Sequence, residues 1–156
     1  MTTQRLVQFR DDNLEALSAI DEVGDGRGWC NLSPEVTTED VDVLSVNVLS
    51  LRVKKGAPVA SFVTSPPKRG ERRPSTLGVL HTRGRLGRER IAELLGGAAF
   101  QVKQDHQQRG LLFEVAPGEP AVVVLEAMRR LLEGLCDYER TGTWRLDVYH
   151  RASKEA

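Results

Sequence analysis

Gln107-Gln108-Arg109-Gly110-Leu111-Leu112-Phe113-Glu114-Val115-Ala116, continued by Pro117-Gly118-Glu119-Pro120 and the apolar run Val122 to Leu125, is the stretch that decides the fold class. A polar turn closing on glycine, a strand-length apolar run, a Pro/Gly turn and then dense apolar residues read as turn, strand, turn and helix in succession. The strand is expected over 111–116 and the helix over 119–136. Pro120 suits the first turn of that helix, since its missing N–H has no intrahelical partner to lose. Met128, Leu131, Leu132 and Leu135 continue the apolar face and predict deep burial.

Working outward from this stretch, residues 99–104 read as a strand and 87–96 as a helix carrying Ile91, Leu94 and Leu95 and stopped by Gly96-Gly97. Residues 76–82 read as a strand, and 58–64 as a further strand before it. Toward the C-terminus, 143–150 reads as a strand with Trp144, Leu146, Val148 and His150 on one face. From residue 76 onward the order is β-α-β-β-α-β, the split βαβ arrangement of ferredoxin-like folds. The expected fold is therefore α+β, a ferredoxin-like βαββαβ sheet over 76–150 with the extra strand 58–64 and an acidic N-terminal helical segment.

Ahead of this core, Leu14, Ala16, Leu17 and Ile20 predict a helix over 12–23 ending at Gly24. Gly24-Asp25-Gly26-Arg27-Gly28 reads as a turn and Trp29 to Pro34 as a loop that drops Trp29 onto the core. The G-x-G-x-G string lacks the preceding strand and following helix that a dinucleotide-binding loop requires. Residues 41–53 fit either a bulged strand or a helix. The whole is expected as one domain, with 1–56 packing on a core of 57–151.

Charge is sorted along the chain. Residues 1–51 carry 3 Lys/Arg against 10 Asp/Glu, residues 52–90 carry 11 against 2, and residues 91–156 carry 8 against 10. Either one surface attracts an anionic partner, or the acidic first third compensates the basic block in cis. Near-neutrality of the whole favours at least partial compensation. A ferredoxin-like arrangement with strands 76–82 and 111–116 parallel in the centre divides the basic block between two ends. Lys68, Arg69, Arg72, Arg73, Arg109 and Arg151 fall at one end with Asp105, His106 and His150. Arg83, Arg85 and Arg88 fall at the other, where the start of helix 87–96 is a candidate anion site.

Several strings are similar to those of a group of small actinobacterial proteins: Trp29 with Leu32-Ser33-Pro34-Glu35-Val36, Gly78-Val79-Leu80-His81, Gln104-Asp105-His106-Gln107-Gln108-Arg109-Gly110, and Thr141-Gly142-Thr143-Trp144-Arg145. The resemblance spans most of 29–150 and implies no activity.

Site chemistry is sparse. Gly84-Arg85-Leu86-Gly87 is a G-x-x-G string, but it joins a strand to a helix and not two helices as in KH domains. Arg109 to Val115 sits where an RNA-recognition motif keeps its third-strand signature, yet supplies a single aromatic, Phe113. Asp105, His106 and Arg109 form the one polar cluster suited to orienting a general base, although neighbours on a strand point to opposite faces. His81, His106 and His150 lack metal-site spacing, and no metal or cofactor is expected. Cys136 reads as a core thiol and Cys30 as partly exposed.

These features point to a soluble cytoplasmic protein, with two isolated cysteines suited to a reducing compartment and no membrane-length apolar run. The expected function is a non-catalytic binding module. It would engage an anionic partner or acidic protein surface through the 65–75 loop, with low-specificity nucleic-acid binding second and a small-molecule enzyme at Asp105/His106/Arg109 third. Pairing with a second copy stays open.

Overall fold

The computed structural model describes residues 2–10, 13–37, 57–97 and 100–151; the alternatives for 41–53 lie outside them. The element order is β1 (Thr2–Phe9), α1 (Leu14–Val23), β2 (Gly28–Val36), β3 (Val59–Val63), β4 (Ser75–Leu80), α2 (Arg88–Leu95), β5 (Gln101–His106), β6 (Gly110–Val115), α3 (Ala121–Leu135) and β7 (Arg140–Arg151). The seven strands form one antiparallel sheet in the order β1-β7-β2-β3-β4-β6-β5, and the chain is α+β. Apolar residues alternate along the strands: Cys30 and Leu32, Ala60 and Phe62, Leu77 and Val79, Leu111 and Phe113, Leu146 and Val148 are all buried in a single core. The helices supply its other half, α3 through Val124, Leu125, Met128, Leu131 and Leu132. It packs on α1, α2, β2 and β3.

The six elements expected over 76–150 are present in that order, but their pairing differs from the expected one. β4 and β6 are neighbours as expected, yet antiparallel where a parallel pair was expected. A tight turn at 107–109 makes β5 and β6 an antiparallel hairpin, and α2 returns the chain so that β5 runs with β4, which fixes β6 against β4. The final strand does not join β4, because β3 already occupies that edge through the short hairpin 64–74. Instead α3, 15 residues long, spans about 22 Å and carries the chain past β4, β3 and β2.

The N-terminal segment also differs from expectation. Residues 2–9 form an edge strand paired with β7, and the presumed loop at Trp29 to Pro34 is the interior strand β2, bonded to β7 on one side and β3 on the other. Pro34, which cannot donate to a ladder, stands at a register shift in β2, where the missing N–H is tolerated. β7 is inserted between β1 and β2. The first third thus contributes two of the seven strands, besides α1.

Candidate functional site

The chain leaves β3 at Thr64, whose hydroxyl lies 2.7 Å from the Val23 carbonyl and 2.9 Å from that of Gly28. The Thr64 N–H donates to the same Gly28 carbonyl at 3.1 Å. This knot ties the base of the 65–74 loop to the turn between α1 and β2. Beyond it, Pro66, Pro67 and Pro74 limit ladder pairing, but the tip is ordered. Lys68 and Glu71 exchange backbone hydrogen bonds of 3.0 and 3.1 Å around Arg69 and Gly70, both at positive φ (54° and 78°). Two successive left-handed residues make a type I′ turn, the one whose twist suits a two-residue hairpin. Every residue from Pro66 to Pro74 is exposed.

Lys68, Arg69, Arg72 and Arg73 therefore stand on a short protruding hairpin, and among the described residues none of them has a carboxylate partner. Antiparallel pairing brings the start of β2 and the end of β7 to the same end of the sheet. His150 Nε2 meets Asp25 Oδ2 there at 2.8 Å. Trp29 and Tyr149 stack at 5.0 Å with planes 9° apart, and the Arg151 guanidinium lies 5.7 Å from the Trp29 ring centre. Arg72 and Arg73 line a cavity of about 60 Å³ beneath the hairpin. That volume holds no more than a few waters, and a second cavity of about 200 Å³ beside it is lined by Arg72 together with Asp21 and Glu119.

Arg109, Asp105 and His106 lie at the opposite end, because β6 is antiparallel to β4. This corrects their expected grouping with the 65–75 loop and places them beside Arg83, Arg85 and Arg88. Asp105 reaches from β5 to the start of α2, accepting the Leu86 N–H at 2.9 Å (Oδ1) and the Gly87 N–H at 2.8 Å (Oδ2). This carboxylate fixes the two residues ahead of α2 and narrows the approach to the helix start, whereas the first-turn amides of Arg88, Glu89 and Arg90 receive no side-chain cap. Arg85 sits 4.0 Å from the same carboxylate with its side chain 79% exposed. Arg83 pairs with Asp137, while Arg88 is exposed at the helix start.

His106 turns its Nδ1 to the amides of Gln108 and Arg109 at 3.0 and 3.1 Å. Asp105 thus holds the amides ahead of α2 and His106 those of a turn, no hydrogen bond joins the two side chains among the described residues, and Arg109 is exposed. Cys30 is fully buried and not partly exposed, and burial, opposed by a hydrogen bond to the Phe62 backbone, pushes its thiol up to about 12. Cys136 follows the last turn of α3 and is half-buried. Among the described residues no three His, Cys, Asp or Glu side chains gather as a metal would need, and no helix is long and apolar enough to cross a membrane.

Carboxylates that partner the basic block come from its own C-terminal side: Asp105, Asp137 and, for Arg90, Glu93. Of the described acidic residues of the first third, Glu22 pairs with Arg5 and Asp25 with His150, and Asp21 and Asp25 line the same cavities as Arg72 without an ion pair to it among the described residues.

Sequence reasoning missed two features. The Trp29–Tyr149–Arg151 cluster needed β2 to be recognised; the alternation of Cys30 and Leu32 with Trp29 and Asn31 was the available signal. The second is His81, 3% exposed, whose Nδ1 accepts the Arg83 N–H at 3.1 Å and whose Nε2 is buried without a partner. No local pattern marks it, since its burial arises where β4 ends under neighbouring elements. No family model, no curated protein and no solved structure matches this chain.

Proposed function

We propose that the protein is a non-catalytic binding module whose hairpin 65–75 engages an acidic protein surface. The observation that carries this reading is a contrast in pairing. Lys68, Arg69, Arg72 and Arg73 are exposed and make no ion pair among the described residues, whereas at the other end Arg83, Arg85 and Arg90 face Asp137, Asp105 and Glu93 and Arg88 alone of that group has no ion pair. Four cations against Glu71 on an anchored turn present a net positive surface to an encounter and lose little entropy on docking. An enzymatic reading at Asp105, His106 and Arg109 has no support in the geometry, since the carboxylate and imidazole are committed to backbone amides.

The test measures binding of fluorescent polyglutamate and of a single-stranded oligonucleotide by anisotropy across a salt series. The wild-type chain is compared with a variant carrying Ala at 68, 69, 72 and 73. The expected result is polyglutamate binding that the variant loses by about tenfold or more. Oligonucleotide binding of equal strength, falling steeply with salt, would transfer the hairpin to nucleic acid. Binding unchanged in the variant would remove the hairpin from the function altogether.

A further inference from the structure

A second surface lies at the sheet's far edge. α2 and the edge strand β5 diverge to leave a groove of about 660 Å³, floored by Ile91, Leu95, Phe100 and Val102 and rimmed by Arg85, Arg88 and Lys103. This volume falls in the range that accepts a few bulky side chains. Val102 is 41% exposed, one of the few large apolar side chains left so open. The lining holds three cations against one carboxylate: Arg88 makes no ion pair among the described residues, while Arg85 stands 4.0 Å from Asp105 and Lys103 3.3 Å from Glu114. The groove therefore joins an apolar floor to a rim of net positive charge led by Arg88, and it is separate from the hairpin of the proposed function.

From this pairing of floor and rim we infer that the groove receives an acidic amphipathic helix of a partner protein. Three observations select that occupant. The rim is complementary to Glu and Asp flanking apolar anchors, the arrangement of a helix that seats residues at i, i+3 and i+4 in a groove. An added strand is disfavoured because β5 carries a register shift between Val102 and Gln104, with Lys103 tied back to Glu114 at 3.3 Å; a bulge and an edge lysine are standard guards against strand addition. A second copy seated symmetrically would bring two positive rims together, which costs free energy unless counter-charges intervene.

The test uses two helical peptides of about 16 residues, both with Leu at i, i+3, i+4 and i+7, one with Glu and the other with Lys at the flanking positions. Binding to the full chain is followed by anisotropy. The acidic peptide should bind and the basic one should not. Two variants of the groove, Arg88→Glu and Ala92→Arg, should each weaken the acidic peptide by about tenfold or more; unchanged circular dichroism and melting would show that they fold. The hairpin variant with Ala at 68, 69, 72 and 73 should leave this binding unaltered, so failure of the groove and failure of the hairpin are read separately. Equal binding of both peptides overturns the inference, as does acidic-peptide binding lost only in the hairpin variant. A dimer in sedimentation that Ala92→Arg dissociates would give the groove to a second copy and equally overturn it.

Discussion

Asp105 shows how one side chain can set the entry to a helix from another element. Reaching from β5, it holds the Leu86 and Gly87 amides immediately ahead of α2. Replacing Asp105 with Ala leaves two amides without an acceptor and should cost about 1–3 kcal/mol in urea unfolding. Arg85→Ala, which removes only a distant and largely exposed partner, should change stability by less than about 0.5 kcal/mol. Similar losses for both would mean that the two amide hydrogen bonds contribute nothing beyond surface electrostatics. Neither role of Asp105 was legible from sequence, because the residues it bonds lie 18 and 19 positions away and meet it only through the β4-α2-β5 crossover.

His81 carries a pH dependence of its own. Burial holds its protonation below the ordinary 6.5, with Arg83 adding to the effect and Asp105 opposing it. Where the folded value lies below the unfolded one, the unfolded chain binds more protons between them, so stability is full above 6.5 and is lost as pH falls through that window. Asn at position 81 can still accept the Arg83 N–H without titrating. The urea midpoint of the wild type should therefore fall relative to that of His81→Asn between about pH 7.5 and about pH 5.5. A difference that stays constant over this range would show that His81 titrates alike folded and unfolded.

Among the elements, those whose pattern is local were legible and those defined by distant pairing were not. α3 and β6 announce themselves by period, and Phe113, fully buried where β6 meets the helices, follows from the strand's alternation. Phe113→Ala should cost about 3–5 kcal/mol, as measured by chemical denaturation. β2 was hidden by the glycines at and before its start, Gly24, Gly26 and Gly28, and by Pro34, which signal a loop unless two neighbours hold the strand. The hairpin 65–74 was legible as exposed but not as turned, since Arg69 takes a left-handed conformation that its residue type does not favour. Trypsin should cleave within Lys68 to Arg73 ahead of other sites, because no burial protects the exposed tip. Resistance of this hairpin while cleavage proceeds elsewhere would contradict its exposure.

At the scale of the molecule, the sheet closes the chain on itself. β7, the last strand, lies between β1 and β2, the first two, and takes its hydrogen bonds on both sides from residues 2–9 and 28–36. Charge sorting treats the first third as an acidic segment that compensates the basic block, but its strands are the neighbours of a buried one. A chain beginning near Gly56 would strip β7 of both partners and open Trp144, Leu146 and Val148, each less than 4% exposed in the whole protein. It would also strip α3 of α1 and β2, against which it packs. Unpaired backbone in a central position together with that apolar exposure outweighs the few kcal/mol by which a domain of this size is stable. The shortened chain should therefore show no cooperative thermal transition and should aggregate. A cooperatively melting fragment from residue 56 onward would mean that β3 to β6 with α2 and α3 form an independent unit, and that the inserted strand is an addition to the fold and not its closure.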